Sequence, residues 1–577
     1  MTTDIFLQAR RQYPIVLRPS SPDEFRGLNH STDKFYGSPL CIRTAIDIVV
    51  ESLTMSGKEY EAGMSRTHTL ESDSSGKASN DIKDLESQGY AEQDIQVENH
   101  QILDDVETRK YERAYMWKLD CIICPTISLL YFFEYLDRGN VANAKLYGLS
   151  AGHDTASGGV GPGKKSLSAN QWEVVIMIFY VGLILCQVPG CIGYRLFSPS
   201  RWIAFGVCGW CVCSILQDVA TNYASLLVCR VFLGAFEGLF GTGIVYYLSL
   251  WYKRNELGMR VFFFLGPTAF AGAFGGLIAY GVGHIKSVTP QWKWLFLVEA
   301  LPGFALGLFC LYWLPDRPMK NSRFSGRHQE IAVARYHSEA VDKTGPIQRK
   351  HVIWTLTDWR LYVQAFIYVP TAALLSSISG FLPSIVSELG YKSSTSANLM
   401  TVPPYACAFV LMFLTSYSSD YFRERGLHIT VLSIIAAISY ITIANLEETA
   451  LHAKYGLICL STACVYATYP PSHAWAANNF GNETKRAIGM GLYTAIGNLG
   501  SIAGSFFYPT TDAPLYRKGH YLAFGMSLAA AIISLCNSLA LRAVNRYRDR
   551  KYGKPVEGLA IDVTEDADNL PMFRFIT

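Results

Sequence analysis

The first long apolar stretch of the chain contains polar and ionisable side chains that could bind an anion or carry a proton. Glu134, Asp137, Arg138 and Asn140 fall within about two turns of a predicted helix. Ionisable groups are costly inside a bilayer, so each is a candidate for function. Glu134 and Arg138, four residues apart, could simply neutralise each other in a salt bridge. We favour the alternative, in which Arg138 presents its forked donors to a substrate carboxylate and Asp137 accepts and releases a proton. Asn140 is then a candidate for substrate contact, and Glu134 for proton coupling.

A second pair of ionisable residues lies in the fourth apolar stretch. Arg230 and Glu237 are seven residues apart and therefore lie about two turns along the same helix face. A buried carboxylate without a permanent cationic partner can titrate near neutral pH, as a coupling proton requires. We therefore predict that Glu237 is a second site that takes up and releases a proton, with a structural hydrogen bond as the alternative. For Arg230 we favour a structural role.

Four further side chains are weaker candidates for substrate contact. His473 could titrate, but it follows two prolines and could equally satisfy the backbone carbonyls that they free. Asn498 lies among glycines, and Gln187 and Tyr246 lie within apolar stretches. We predict that all four line a polar cavity.

Twelve apolar segments must position these residues. Each is close to the roughly 20 helical residues that cross a bilayer about 30 Å thick. The segments cover approximately residues 120–144, 172–196, 202–219, 226–250, 261–282, 294–314, 361–386, 397–417, 429–446, 455–475, 487–508 and 521–543. Six segments, a long polar loop and six more indicate two halves. The predicted fold is an all-α membrane protein of twelve transmembrane helices in two six-helix bundles.

The distribution of basic residues predicts the orientation. Lysine and arginine are concentrated in the central loop and in every second connection, which the positive-inside rule places in the cytosol together with both termini. The polar start of the chain cannot bury enough apolar surface to fold alone. We expect a disordered cytosolic tail over 1–110, a six-helix bundle over 111–314, a cytosolic loop over 315–360, a second bundle over 361–543 and a cytosolic tail over 544–577. Residues 1 to about 53 could be an artefact of a start site placed too early.

Composition excludes several other classes of protein. Of the 577 residues, 50% are hydrophobic and 17% charged, and the net charge is only +3, so we expect a lipid bilayer and no nucleic acid as partner. Cys121 with Cys124, and Cys208 with Cys211, have the spacing of metal ligands but lack a second pair, so we predict no metal site. No nucleophile with a matching base indicates an enzyme, and we predict no cofactor.

At these residues the chain resembles the major facilitator superfamily, and within it the fungal anion:cation symporters typified by allantoate permease and nicotinate permease. The resemblance covers roughly residues 118–550. The matching segments are LDRGNVANAK (136–145), RVFLGAFE (230–237), YYLSLWY (246–252), FLP (381–383), TVPPY (401–405), SD (419–420) followed by Arg423 and Arg425, AWAANN (474–479), TKR (484–486), AIGN (495–498) and DAP (512–514).

The resemblance implies two pseudo-symmetric bundles that alternate access around a midplane site, with proton-coupled uptake of a carboxylate nutrient or vitamin such as allantoate or nicotinate. In related symporters the residues matched by Asp137 and Arg138 serve proton and substrate, and the acid matched by Glu237 serves coupling. The chain departs from the family where Gln187 replaces a usual Glu and where Leu239 and Thr242 replace Gly and Pro. The substrate could therefore differ from that of familiar members.

Two alternatives remain within this fold. A transport-dead nutrient sensor would signal through long cytosolic tails but would need no coupling acid, so the presence of Asp137 and Glu237 favours transport. A uniporter or efflux carrier is not excluded by any residue. We expect a monomer in the plasma membrane whose partners are protons and a small organic anion.

Overall fold

A computed structural model describes most of the chain from Ala78 onward. The described residues are 78–146, 149, 167, 169–220, 222–285, 289–319, 323–337, 340–341, 349–388, 399–447, 450–509, 512, 515–555 and 561–577, and over 78–107 and at scattered other positions only the backbone is described. The predictions for residues 1–77 lie outside them. The chain divides into the units Met1–Gln101 and Ile102–Thr577, and the second unit contains all the candidate residues.

Long helices occupy all twelve predicted spans. They are α1 Ala78–Leu146, α2 Ala169–Leu196, α3 Pro199–Leu216, α4 Tyr223–Trp251, α5 in two segments Leu257–Leu265 and Pro267–Gly283, α6 Gln291–Trp313, α7 Trp359–Glu388, α8 Val402–Phe422, α9 Gly426–Asn445, α10 Leu451–Asn479, α11 Glu483–Gly504 and α12 Arg517–Tyr552. The predicted all-α architecture is therefore confirmed. α1 begins within the predicted disordered tail, and α12 runs past the boundary predicted at residue 543.

Nine of the helices are long and apolar enough to cross a membrane within the described ranges. The other three, α8, α10 and α11, are of comparable length but carry more polar residues. In α10 every residue from Ser461 to Asn479 is buried. A helix enclosed by protein on all sides does not need an apolar surface toward lipid.

The helices pack as two sets of six. α2 contacts α4 and α3 contacts α6 in the first half, while α7 contacts α11 and α9 contacts α12 in the second. The halves meet where α2 contacts α11 and where α5 contacts α8 and α10. Glycine permits the closest approach, because a Cβ at Gly234 of α4 would lie 2.1 Å from the carbonyl oxygen of Phe179 in α2.

We call the membrane face formed by the connections after α2, α4, α6, α8 and α10 and by the segment after α12 the basic face. There the two halves are hydrogen-bonded to each other. Asp420, near the end of α8, accepts from the backbone N–H groups of Gly258 and Met259 in the first turn of α5, at 3.1 and 2.7 Å. Unpaired N–H groups and the positive end of the dipole make a helix N-terminus a favourable site for a carboxylate.

Two further contacts join the halves at the basic face. Arg254, after α4, donates to the carbonyl of Asn478 in α10, whose amide donates back to the Arg254 carbonyl at 2.9 Å. Glu483, at the start of α11, lies 3.2 Å from Arg195 and 3.7 Å from Arg317. Opening between the halves at this face requires these bonds to break.

The segment 561–577, predicted as part of a cytosolic tail, packs against the basic face. Asp568 is buried and lies 2.7 Å from Lys485 and 2.5 Å from Arg360. The first two residues of the segment, Ile561–Asp562, form a short parallel β-bridge with Ala340–Val341 of the central loop. Part of the segment predicted as a C-terminal tail is therefore an ordered element at the basic face.

Candidate functional site

A buried cluster of charges lies between α1 and α4. The Nε of Arg138 donates to Oε2 of Glu237 at 2.7 Å, and its Nη2 donates to Oε1 of Glu134. Glu134 and Arg138 lie four residues apart on one face of α1. Glu237 belongs to α4 and follows Arg138 by ninety-nine residues in the chain. The guanidinium thus bridges two carboxylates.

The two acids of this cluster are almost completely enclosed, whereas the arginine is not. The side chains of Glu134 and Glu237 are 1% and 0% exposed, but that of Arg138 is 23% exposed. Each acid keeps one buried oxygen without a hydrogen-bond partner in the described part of the chain, Oε2 of Glu134 and Oε1 of Glu237. The cluster can therefore receive further donors, and Arg138 can be reached from outside it.

Asp137 faces away from this cluster toward α3. Its Oδ1 accepts from the Ser214 hydroxyl at 2.6 Å, and its Oδ2 has no partner among the residues described. Arg230 is buried nearby and interacts electrostatically with Asp137 and Glu237, but neither its Nε nor its Nη2 has a hydrogen-bond partner there. The structure therefore brings Glu134, Arg138 and Glu237 into contact and places Asp137 beside them in a separate contact.

Asn140 contacts an acid that sequence analysis missed. Its Nδ2 donates to Oε2 of Glu299 in α6, and both residues are buried. Glu299 interrupts an apolar stretch, which is the same signal that marked Glu134 and Glu237 as candidates. The sequence therefore contained the information needed to find it.

Aromatic residues of the second half face the cluster. The hydroxyls of Tyr131 in α1 and Tyr469 in α10 are 3.0 Å apart. The ring of Tyr368 in α7 stacks on Tyr469 with centroids 5.9 Å apart and meets His473 edge-on at 4.7 Å. The two halves thus meet through the tyrosine hydroxyls beside Arg138, whose guanidinium lies 5.9 Å from the ring of Tyr135.

The weaker candidates lie in several places. His473 is enclosed by tyrosines, and its Nδ1 lies 3.2 Å from the Tyr469 carbonyl. Tyr246 donates to Glu483 at 3.1 Å and so belongs to the basic face rather than to the Arg138 cluster. Gln187 is buried in α2, and Asn498 in α11 is partly exposed. Their roles in substrate contact stay predictions.

Comparison with known proteins identifies the family. The profile of the Major Facilitator Superfamily matches residues 127–505, which include eleven of the twelve helices at least in part. The chain belongs to the major facilitator superfamily. It is therefore a multi-pass membrane transporter, and the predicted fold of two six-helix bundles is confirmed.

Relatives and solved structures of the superfamily resemble the chain over most of its length. It is 35% identical to the MFS transporter prlL of a fungal species (strain NRRL 50135), covering 78% of this chain and 89% of that protein. It is 27% identical to the major facilitator-type transporter hxnP of Emericella nidulans, covering 87% and 99%. Among solved structures, the proton:xylose symporter XylE superimposes with a TM-score of 0.58 at 13% identity, covering 74% of this chain and 96% of XylE. The E. coli fucose:proton symporter FucP does so with 0.52 at 12% identity, covering 72% and 99%.

These similarities support conclusions at different levels. The superfamily profile and the prlL match show family membership, whereas the likeness to XylE and FucP shows the fold alone. The finer assignment to the anion:cation symporters stays a prediction for this MFS protein.

Proposed function

We propose that this transporter carries a small organic anion across the membrane together with protons, by alternating access. The observation that supports this most strongly is the partly exposed Arg138 held between two enclosed carboxylates. A guanidinium binds a substrate carboxylate through two parallel hydrogen bonds. Two of the Arg138 donors available for such bonds, Nε and Nη2, now donate to Glu237 and Glu134.

Charge balance links protons to the anion in this arrangement. With both acids ionised, the cluster of Glu134, Arg138 and Glu237 carries a net charge of −1 and repels an anion. Protonation of both acids releases Arg138 and leaves a net charge of +1, which an anionic substrate neutralises. Unit charges about 4 Å apart interact with roughly 4 kcal/mol at an effective dielectric constant of about 20, so binding without protons is strongly disfavoured. Protons and anion therefore enter the site together.

Alternation then requires the contacts at the basic face to break and re-form. Arg254 with Asn478, Glu483 with Arg195, and Asp420 with the start of α5 hold the halves together there. We propose that the basic face is cytosolic in the plasma membrane, with both termini on that side, because its connections carry the excess of lysine and arginine. Membership of the anion:cation symporters is part of the same proposal and is supported by the motif at residues 136–145.

The proposal is tested by uptake into a permease-deficient yeast that expresses the chain. Labelled carboxylates, including nicotinate and allantoate, are offered with and without an imposed inward proton gradient, and nicotinamide serves as the uncharged analogue of nicotinate. We expect at least one carboxylate to accumulate when the outside is acidic, and its amide analogue not to. Uptake that ignores the gradient would exclude symport, and equal uptake of acid and amide would exclude recognition by Arg138.

A further inference from the structure

A second group of buried polar residues lies inside the first half, apart from the Arg138 cluster. Glu299, in α6, is 3% exposed. Its Oε2 accepts from Asn140, and its Oε1 has no hydrogen-bond partner in the described ranges. Asp137, one turn before Asn140 in α1, is an acid that interacts electrostatically with Glu299. Both acids thus face the interior of the first half.

No ion pair joins Glu299 or Asp137 to a cation among the side chains that the structure describes. The groups facing Asp137 include the Ser214 hydroxyl of α3, Arg230 of α4 and Arg138 of its own helix, and neither arginine is hydrogen-bonded to it among the described residues. Asp137 also interacts electrostatically with the carboxyls of Glu134 and Glu237. In the described part of the chain no cation faces Glu299, and a buried carboxylate of this kind is strongly destabilised and in practice holds a proton instead. Arg230 and Arg138 favour the charged form of Asp137, which can therefore accept that proton. An amide N–H such as that of Asn140 can donate to either form of the acid.

Buried polar atoms continue from this pair toward the face opposite the basic face. Both side-chain amide atoms of Gln217, just after α3, and Oδ1 of Asp218 are buried without a partner in the described part of the chain. Buried polar atoms of this kind are positions where ordered water binds, and water can carry a proton between carboxyls.

We propose that Glu299 and Asp137 form a proton-holding pair inside the first half, which passes the coupling proton between the opposite face and Glu237. This inference rests on the proposed proton-coupled transport and adds a residue and a route to it. Glu299 is a positioning and proton-holding residue, since its contacts reach the substrate cluster only through α1. The proton moves from one carboxyl oxygen to the next through water, and no other bond is broken.

The test compares Glu299→Gln with Glu299→Asp in membrane vesicles, using labelled nicotinate, or whichever acid of the panel the wild type takes up. Two quantities are measured: exchange of labelled for unlabelled substrate, and net accumulation as a function of external pH. We expect Glu299→Gln to keep exchange but to lose accumulation and its pH dependence, and Glu299→Asp to restore both.

Two results would overturn the proton-holding role. One is a wild-type pH profile in Glu299→Gln. The other is equal loss of exchange and accumulation in both variants at normal expression, which would mean that the residue is only structural. If the wild type itself ignores the gradient, the proposed function fails rather than the role of Glu299.

A different observation carries a second inference. The segment 561–577 is anchored to the second half: the Trp475 indole donates to the Ile576 carbonyl at 2.7 Å, and Asn479 exchanges two hydrogen bonds with the Ile576 backbone at 2.9 and 3.0 Å. From this anchored position it reaches the first half. The Arg254 guanidinium lies 4.7 Å from the Phe573 ring centroid and donates to the Arg574 carbonyl at 3.2 Å.

We infer that this segment is a latch that holds the two halves together at the basic face. A cavity of about 90 Å³, lined among others by Arg254, Glu483, Val563 and Phe573, lies at the same junction. When the basic face opens, Arg254 must leave both Asn478 and the segment, because the segment stays bonded to the second half. Weakening the contact of Phe573 with Arg254 should therefore favour opening.

Two matched substitutions test the latch. Phe573→Leu keeps an apolar side chain but removes the ring from Arg254, whereas Phe575→Leu makes the same change at a ring that contacts Arg360 and Arg548 within the second half. We expect Phe573→Leu to raise the rate of substrate exchange at least roughly twofold, because the Phe573 ring is buried and a buried cation–π contact is stronger than an exposed one. Phe575→Leu should leave that rate unchanged. Equal effects of the two substitutions, or no increase with Phe573→Leu, would overturn the latch.

Discussion

Replacing Glu237 by Gln should uncouple substrate movement from the proton gradient while leaving substrate exchange intact. Gln is close in shape to the protonated acid, so the variant holds this position permanently in its neutral form. The 2.7 Å contact with Arg138 then loses its ionic part, which is roughly 4 kcal/mol for unit charges about 4 Å apart at an effective dielectric constant of about 20. Arg138 becomes easier for a substrate carboxylate to capture, and no proton is needed at this position.

The size of the effect on accumulation follows from the energy in the gradient. Each pH unit supplies about 1.4 kcal/mol per coupled proton, or about a tenfold accumulation of substrate. Wild-type vesicles with an imposed difference of about one pH unit should therefore concentrate substrate about tenfold more per coupled proton than vesicles without it. In Glu237→Gln the contribution of this proton disappears, while exchange at equal pH persists.

The assay measures labelled substrate in vesicles at a series of imposed pH differences, with Glu447→Gln as control. Glu447 is an exposed acid outside the cluster, so the same chemical change there should have no effect on coupling. Gradient-driven accumulation by Glu237→Gln at the wild-type level would remove this residue from the coupling role. Loss of exchange together with accumulation would show instead that Glu237 holds the site in shape.

Three further changes test other parts of the structure. Arg138→Lys keeps the charge but cannot form two parallel hydrogen bonds, so substrate binding should fall, measured as a raised KM or abolished uptake at normal expression. Gly234→Ala places a Cβ 2.1 Å from a backbone oxygen and should lower thermal stability in detergent, by roughly 1–3 kcal/mol for overpacking, whereas Gly380→Ala, with open space around it, should not. Asp358→Asn should lower thermal stability by weakening the anchoring network around Lys485. Burial raises the pKa of Asp358, but its two cationic neighbours outweigh burial and hold that pKa below its ordinary value of 3.8. The ion pair thus stabilises the fold at pH values above 3.8, and this stabilisation is lost only as the pH falls through the lowered pKa of Asp358. Asp358 therefore does not titrate near neutral pH, and transport by Asp358→Asn should keep the wild-type pH profile there.

Some structural features missed by sequence analysis nevertheless had a local signal. Glu299 interrupts an apolar stretch as plainly as Glu237 does. The docked segment 561–577 has spaced apolar residues, Phe573, Phe575 and Ile576, but no period long enough to predict a helix. Its order depends on Trp475 and Asn479, which no local pattern connects to it.

The sequence by itself determined the number and approximate positions of the long helices, the all-α membrane class and the ionisable residues to consider, but not where α1 begins or where α12 ends. These follow from properties of short stretches: the length of an apolar run and the cost of placing a charge within it. Only the tertiary structure decided which acid pairs with which cation. It joined Arg138 to Glu237 across ninety-nine residues, turned Asp137 toward Ser214 and placed Tyr246 at the basic face. The physical reason is that the groups around a buried polar or charged side chain are set by how distant helices pack, which no local pattern in the sequence contains.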